Sequence, residues 1–177
     1  QTHGINELRF FYLKNKKQIK IFTDRNTKKY LKKSFTYCFK KTEDYPPIFN
    51  INDLQKKHSY KDKKIKIDLK CIRVKHGNIH SICYIVNKKL AYASDVSKIY
   101  EKDIKFFRNL KYLVVDCLQY DPHPSHFCLK DVLKLVKIIK PNKTILTNLT
   151  SRIDYSSIKN KLPRNIIPAF DGLTLNI

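Results

Sequence analysis

The residues best suited to chemistry follow the ends of three predicted strands. His76 comes after an alternating strand, Asp95 after the segment "LAYAS", and the stretch from Asp116 to His126 after "YLVV". Ligands of α/β proteins collect where loops leave the ends of strands. An imidazole titrates near working pH, so it suits proton transfer. This placement favours a site that the three segments build together.

Each of these residues also has a structural interpretation. His76 could be a histidine of a surface turn, and Asp95 could cap a following helix. Ser125 could be a helix N-cap, with His126 merely near the positive end of that helix. Such roles are far commoner than catalytic ones. Spacing alone therefore leaves both interpretations open.

The surrounding sequence predicts the elements that position these residues. Lysine alternates with apolar residues in "KKIKIDLKCIRVKHG", the period of a half-buried strand, and "IHSICYIV" and "LAYASDV" form a hairpin. The segments "YLVVDCL" and "TILTNL" predict strands covered on both faces. Further patterns predict a strand in "QIKIFTD" and helices in "INELRFFYL", "NTKKYLKKSFTYCF", "LKDVLKLVKIIK" and "DYSSIKNKLP". Helices that alternate with apolar strands indicate a layered α/β fold.

Finer predictions concern the ends of elements and the domain. Asn26 or Thr27 is expected to cap the helix that begins there. The segment "IIPAFDGLTLNI" is expected to form a closing hairpin turned at Asp171 and Gly172. A chain of 177 residues seldom buries more than one core, so we expect one domain over residues 1–177.

The chain is strongly basic. Its 37 lysines and arginines face 15 acidic residues, a formal net charge of +22. Such a charge promotes non-specific association with nucleic acid. Only six of the cations are arginines, however, and the lysines occur in every segment rather than in one stripe. Lysine is tolerated at exposed positions of any fold, so nucleic acid is a partner that the composition permits but does not favour.

The five cysteines predict reduced thiols in the core. They are odd in number, lie mostly in apolar runs and form no C-x-x-C pair, which argues against a zinc ribbon or a redox motif. No apolar run approaches the roughly 18–20 residues that span a bilayer, and no charged-then-apolar leader opens the chain. We expect a cytoplasmic protein with no membrane partner.

Several segments occur in the order found in one family. They are most specific at "HPSHF", "AYASDV" and "PAFDG", and they also include "THGINELR", "YPPI", "VKHGNIHSICYIV" and "TILTNL". Along the whole chain they resemble metallo-β-lactamase-fold hydrolases, in the branch of the phosphodiesterase associated with carbon–phosphorus lyase. The resemblance implies an αββα sandwich that holds two divalent metal ions, zinc or manganese. It also implies hydrolysis of phosphodiesters, for which two metals activate water and neutralise charge on the phosphoryl oxygens.

The resemblance assigns roles by position. His76 matches the histidine ligand that completes the first metal site, and Asp95 matches the aspartate that bridges the two metals. His126 matches a catalytic histidine that is not a ligand and that protonates the leaving group or contacts the phosphate. His123 is expected to shape the loop, and His123 and Ser125 are the expected substrate-binding residues.

The sequence departs from the family at two ligand positions. The family's motif H-x-H-x-D-H should precede "THGINELR", but only Gln1 stands there, at the place of the final histidine. Where relatives have another histidine, this chain offers Asn148, Thr150 and Ser151. His76 and Asp95 remain, whereas a catalytic zinc usually has three protein ligands. We therefore expect an amino-terminally incomplete fold in which metal binding is depleted.

Three functions stay open at this point. The first is a metal-dependent hydrolase of small phosphodiester or nucleotide-like substrates. The second is a non-catalytic remnant or partner-binding subunit, completed by an amino-terminal partner chain or by a second copy in a homodimer. The third is a relative of the tRNA 3′-processing endonucleases, whose RNA substrate would suit the charge. Metal content separates the first two, and salt-sensitive RNA binding would support the third.

Overall fold

The computed structural model describes residues 2–43 and 45–177, and the chain divides into two compact units. The first unit is Gln1–Gln55 and the second is Lys56–Ile177. The single domain expected over residues 1–177 stays a prediction.

The first unit combines short helices with a two-stranded parallel sheet. A 3₁₀ helix (His3–Leu8) leads into α1 (Arg9–Asn15), β1 (Ile19–Thr23), α2 (Arg25–Ser34), α3 (Thr36–Phe39) and β2 (Phe49–Asp53). β1 and β2 pair in parallel, and Cys38, Ile48 and Phe49 form a small buried core. The helix predicted over "NTKKYLKKSFTYCF" is therefore two helices, which meet at Phe35.

The cap of α2 differs from the prediction. Asp24, rather than Asn26 or Thr27, is the N-cap, and its carboxylate accepts hydrogen bonds from the amides of both residues, at 2.8 and 3.2 Å. A carboxylate at this position satisfies amides that have no partner inside the helix. The helix therefore begins one residue before the segment that its apolar spacing marks.

The second unit is built on a seven-stranded mixed sheet. Its strands are β3 (Lys57–Lys61), β4 (Lys66–His76), β5 (Ile79–Val86), β6 (Leu90–Ala93), β7 (Tyr112–Asp116), β8 (Lys143–Thr147) and β9 (Ile166–Pro168), hydrogen-bonded in that order. Its helices are α4 (Glu101–Ile104), α5 (Leu129–Ile139) and α6 (Tyr155–Lys161). Neighbouring strands from β3 to β6 are antiparallel, and those from β6 to β9 are parallel. The α/β class predicted from the sequence is confirmed.

The pairing directions bring the carboxyl ends of four strands to one edge of this sheet. β4 and β6 both pair antiparallel with β5, so they run in the same direction. β7 and β8 run parallel to β6. His76 ends β4, Asp95 follows β6 and Asp116 ends β7. Residues that are far apart in sequence therefore meet at this carboxyl edge.

An apolar core fixes the strands that form the edge. Leu113 and Val115 of β7, Leu146 of β8, and Val132 and Ile139 of α5 are all fully buried in one cluster. β7 and β8 are inner strands of the sheet, and all their residues are buried or half-buried, in agreement with their apolar sequences. All five cysteines of the chain are buried and free, as expected for core thiols.

The closing segment does not form the predicted hairpin. β9 pairs in parallel with β8, and residues 169–177 contain no strand. The turn at Asp171 and Gly172 is present, with Gly172 at a φ of 89°. Pro168 has no N–H to donate, which weakens this strand as a partner for a returning segment. Within residues 2–43 and 45–177, every helix is too short or too polar to cross a membrane.

Candidate metal centre

His76 is presented by the tight turn between β4 and β5. It pairs with Ile79, so Gly77 and Asn78 form a two-residue turn in which Gly77 has a φ of 58°. A Cβ at Gly77 would lie 2.6 Å from Oγ of Ser125. Glycine therefore serves twice here, because it adopts the left-handed turn and lets the loop before α5 approach His76.

Asp95 follows β6 in a segment that is held by its neighbours. The Ser81 hydroxyl of β5 donates to the Asp95 carbonyl, and Nδ2 of Asn148 donates to the Ser94 carbonyl at 2.6 Å. The Asp95 side chain is half-buried. It does not cap the next helix, because the N-cap of α4 is Tyr100. The helix-cap interpretation of Asp95 is therefore wrong.

His126 lies between β7 and α5 and is held by a buried carboxylate. Its Nδ1 lies 2.5 Å from Oδ2 of Asp116, whose side chain is fully buried. The amide of Val96 also donates to Oδ2 of Asp116, at 3.3 Å. The side chain of His126 is 18% exposed, so one side of the ring stays open to a ligand.

The helix-cap interpretation of Ser125 is also wrong. Cys128 is the N-cap of α5, and its amide and thiol both hydrogen-bond to the Asp131 carboxylate, at 3.4 and 3.0 Å. Ser125 and His126 therefore precede the helix and are free of a capping role. Their loop is held instead by contacts to the sheet edge.

The contact with Asp116 fixes the proton on His126. Burial raises the pKa of Asp116 to about 6, and hydrogen bonds from His126 and Val96 lower it in part. The Asp116 carboxylate accepts the proton that Nδ1 of His126 carries. Oδ1 of Asp116 has no hydrogen-bond partner in the part of the chain that the structure describes.

Three half-buried side chains converge at the carboxyl edge. His76, Asp95 and His126 each offer one ligand atom, and these atoms lie within 4.8 Å of one another. The rings of His76 and His126 have centroids 4.7 Å apart and planes at 79°. The structure thus brings both predicted metal ligands together with the predicted catalytic histidine. We call these three residues the edge triad.

His76 also has a fixed tautomer. Its Nδ1 lies 2.7 Å from the Ser125 carbonyl oxygen, which can only accept, so Nδ1 carries the proton. In the neutral form, Nε2 of His76 then holds a lone pair. The same holds for His126, whose Nδ1 donates to Asp116. Histidines that bind metals commonly donate the other ring N–H to a carbonyl or carboxylate, so the edge triad fits a divalent metal ion.

His123 lies beside the edge triad and shapes its loop. Its Nδ1 accepts a hydrogen bond from the Ser125 amide at 3.2 Å, and its ring centroid lies 5.2 Å from that of His126. The loop position expected for His123 is consistent with this contact. Substrate binding by His123 and Ser125 stays a prediction.

Asp116 is a site residue for which the sequence predicted no role. Its signal was a carboxylate that ends a strand otherwise free of charge, "YLVVD".

The structure describes one of the two positions at which the sequence departs from the family's ligands. Asn148 directly follows β8, and its side chain is bonded to the Ser94 carbonyl. Gln1, which stands at the position of a family histidine, lies outside the described residues.

The sequence matches the family described as the beta-lactamase superfamily domain over residues 1–147. No curated protein matches it.

Solved structures share the fold. A diphosphatase from the PhnP family is 21% identical with a TM-score of 0.84, and the match covers 97% of this chain and 64% of that one. Zinc-bound PqqB from Methylobacterium extorquens is 10% identical with a TM-score of 0.67, over 91% of this chain and 66% of that one. Human tRNase Z, short form, is 15% identical with a TM-score of 0.63, over 92% and 68%. The metallo-β-lactamase fold expected from the sequence is thus confirmed, and the chain spans less than two thirds of the length of the PhnP-family diphosphatase.

Proposed function

This chain belongs to the β-lactamase superfamily, and from that premise we propose that it carries the metal-binding edge of a metal-dependent hydrolase of phosphodiesters. The observation that carries the proposal is the edge triad, in which both histidines have Nδ1 engaged and Nε2 left for a ligand. Imidazole nitrogen and carboxylate oxygen are both ligands that zinc accepts. A bound divalent ion would activate water and stabilise negative charge on the phosphoryl oxygens.

In a complete protein that supplies the family's amino-terminal histidine motif, we assign His76 and Asp95 to metal binding and His126 to proton donation. Asp116 accepts the Nδ1 proton of His126 and holds the ring, so Nε2 remains available to carry a second proton. The leaving oxygen of the substrate would take its proton from Nε2 of His126. The partial exposure of this side chain lets a substrate reach it.

Two similarities support phosphodiesters as the substrate class. The PhnP-family diphosphatase and human tRNase Z are both named for reactions at phosphorus. The formal net charge of +22 also attracts phosphate anions. A small phosphodiester or nucleotide-like substrate fits both observations.

An RNA substrate is the second candidate function. The similarity to human tRNase Z and the basic surface favour it. The lysines are spread over the whole sequence, however, and are not concentrated in one segment. We therefore rank RNA processing below hydrolysis of a small phosphodiester.

Hydrolysis by a completed form tests the proposal. A segment with the family's H-x-H-x-D-H motif is fused ahead of Thr2, and turnover of bis-p-nitrophenyl phosphate is measured with zinc or manganese. We expect metal-dependent turnover that Asp95→Ala abolishes together with metal binding. His58→Ala on β3 is the matched control and should leave both unchanged. Full metal occupancy without turnover would contradict the proposal and favour a non-catalytic subunit.

A further inference from the structure

We infer that this chain by itself holds one divalent metal ion on the edge triad, with His126 as the third ligand beside His76 and Asp95. The inference rests on the metal site of the proposed function but not on hydrolysis. It differs from the role of His126 in a completed site, where that residue donates a proton.

The hydrogen bonds around the two histidines carry the inference. The Ser125 carbonyl takes the Nδ1 proton of His76 at 2.7 Å, and Asp116 takes that of His126 at 2.5 Å. Each neutral ring is left with a lone pair on Nε2 and with a fixed orientation. Ser125 and His126 are adjacent, so one loop both orients His76 and supplies His126.

Each of the two histidines also has a hydrogen-bond partner that is typical of a metal ligand. A backbone carbonyl and a buried carboxylate are the usual partners of metal-bound imidazoles. Asp116 is fully buried, and its Oδ2 lies 2.5 Å from Nδ1 of His126.

The part of the chain that the structure describes contains no competing set. The edge triad is the one group of three histidine, cysteine, aspartate or glutamate side chains in residues 2–43 and 45–177 that could hold a metal ion. Asn148 lies in the stretch where relatives have a histidine, and its amide is bonded to the Ser94 carbonyl. His126 is therefore the available third donor for an ion bound by His76 and Asp95.

The spacing of the ligand atoms predicts moderate affinity. The three atoms lie within 4.8 Å of one another, whereas two ligands that each lie about 2.0–2.2 Å from a tetrahedral zinc ion are about 3.4 Å apart. The side chains must therefore rotate towards each other when the ion binds. This rearrangement makes binding weaker than at a site whose ligands are already in place. We expect an ion that a strong chelator removes readily.

Ligation also determines what the chain alone can do. A metal ion and a transferable proton compete for the same Nε2 of His126. While His126 is a ligand it cannot protonate a leaving group, so this chain should bind metal without hydrolysing an alkyl phosphodiester.

Metal titration of the unmodified chain against a chromophoric chelator is the first test. We expect one Zn²⁺ per chain and a loss of affinity of at least about tenfold in each of the variants His76→Ala, Asp95→Ala and His126→Ala. His58→Ala and His80→Ala are matched controls, and their affinity for Zn²⁺ should stay within about twofold of that of the unmodified chain.

Asp116→Asn tests the carboxylate that holds His126. It should weaken binding by about 10- to 100-fold, as loss of a carboxylate that supports a histidine ligand does. Unchanged affinity in His126→Ala, or two ions per chain, would overturn the inference.

A second measurement needs no substitution, so it holds even if a variant fails to fold. Long-range ¹⁵N spectra of the metal-free chain should show His76 and His126 with the proton on Nδ1. Addition of diamagnetic Zn²⁺ should shift the Nε2 resonances of both His76 and His126 and leave those of His58 and His80 unchanged. An unshifted Nε2 resonance of His126 beside a shifted one of His76 would overturn the inference. If the chain binds metal on the edge triad but the completed form shows no turnover, the proposed function is refuted and this inference still holds.

Discussion

The two histidines of the edge triad differ in the group that holds Nδ1. His76 donates to a carbonyl, which cannot take up a proton, whereas His126 donates to the Asp116 carboxylate. A carboxylate can balance the positive charge of a ring that carries a proton on both nitrogens, whereas a carbonyl oxygen carries no charge. His126 is therefore the better proton donor of the two in a completed site.

Leaving-group dependence tests this role in the completed form. His126→Ala should lower turnover of an alkyl phosphodiester by about 10²- to 10⁴-fold, the usual range for general-acid assistance. Turnover of bis-p-nitrophenyl phosphate should fall less, because nitrophenolate leaves without protonation. His123→Ala is the control and should change the two esters equally. Equal losses for both esters in His126→Ala, with metal content intact, would contradict a proton-donor role.

The contact of Gly77 with the His126 loop can be measured by comparing two glycines. Gly77 and Gly172 both have positive φ, but only a Cβ at Gly77 meets Ser125, whereas that at Gly172 meets open space. Alanine in the left-handed region costs about 1–2 kcal/mol. Gly77→Ala should therefore lower the free energy of unfolding more than Gly172→Ala does, and should also weaken metal binding. Chemical denaturation measures the stability, and the chelator titration measures the affinity for metal. Equal losses of stability in the two variants would show that the contact between position 77 and Ser125 does not affect the free energy of unfolding.

At the scale of elements, local sequence patterns predicted the strands that build the site. The alternation in β4 and the apolar runs of β7 and β8 were sufficient. The strands β2 and β3 were not predicted, because "FNIND" and "KHSYK" are short and polar. The convergence of His76, Asp95 and His126 was not a local property either. It depends on which strands pair and in which direction, and the resemblance supplied that information.

The cap of α2 gives a prediction for a single element. The Asp24 carboxylate accepts hydrogen bonds from two backbone amides and from the Thr27 hydroxyl at 2.6 Å. Asp24→Ala should lower the free energy of unfolding by about 1 kcal/mol, as loss of an N-cap does. Asp53→Ala is the control, because it removes only an exposed ion pair with Lys28 and should cost less. Hydrogen exchange of the Asn26 and Thr27 amides measures the effect locally, and unchanged exchange in Asp24→Ala would contradict the assigned cap.

At the scale of the whole molecule, the net charge makes a separate prediction about nucleic acid. With a formal charge of +22 spread over all segments, binding should be non-specific and should arise mainly from released counterions. Affinity for a short RNA should fall steeply between about 50 and 200 mM salt. Single-stranded DNA of the same length is the control and should behave alike. Tight RNA binding that persists at the higher salt and excludes DNA would favour the RNA-processing candidate instead.

We propose that the carboxyl edge of the seven-stranded sheet is a metal centre formed by two histidines and an aspartate. X-ray absorption spectroscopy of the zinc-loaded chain identifies the ligands, because nitrogen or oxygen ligands lie about 2.0–2.2 Å from zinc and sulfur about 2.3 Å away. We expect nitrogen and oxygen as the nearest neighbours of zinc, with more distant scattering from two imidazoles and none from sulfur. A sulfur shell from the cysteines, or scattering from one imidazole or none, would contradict it.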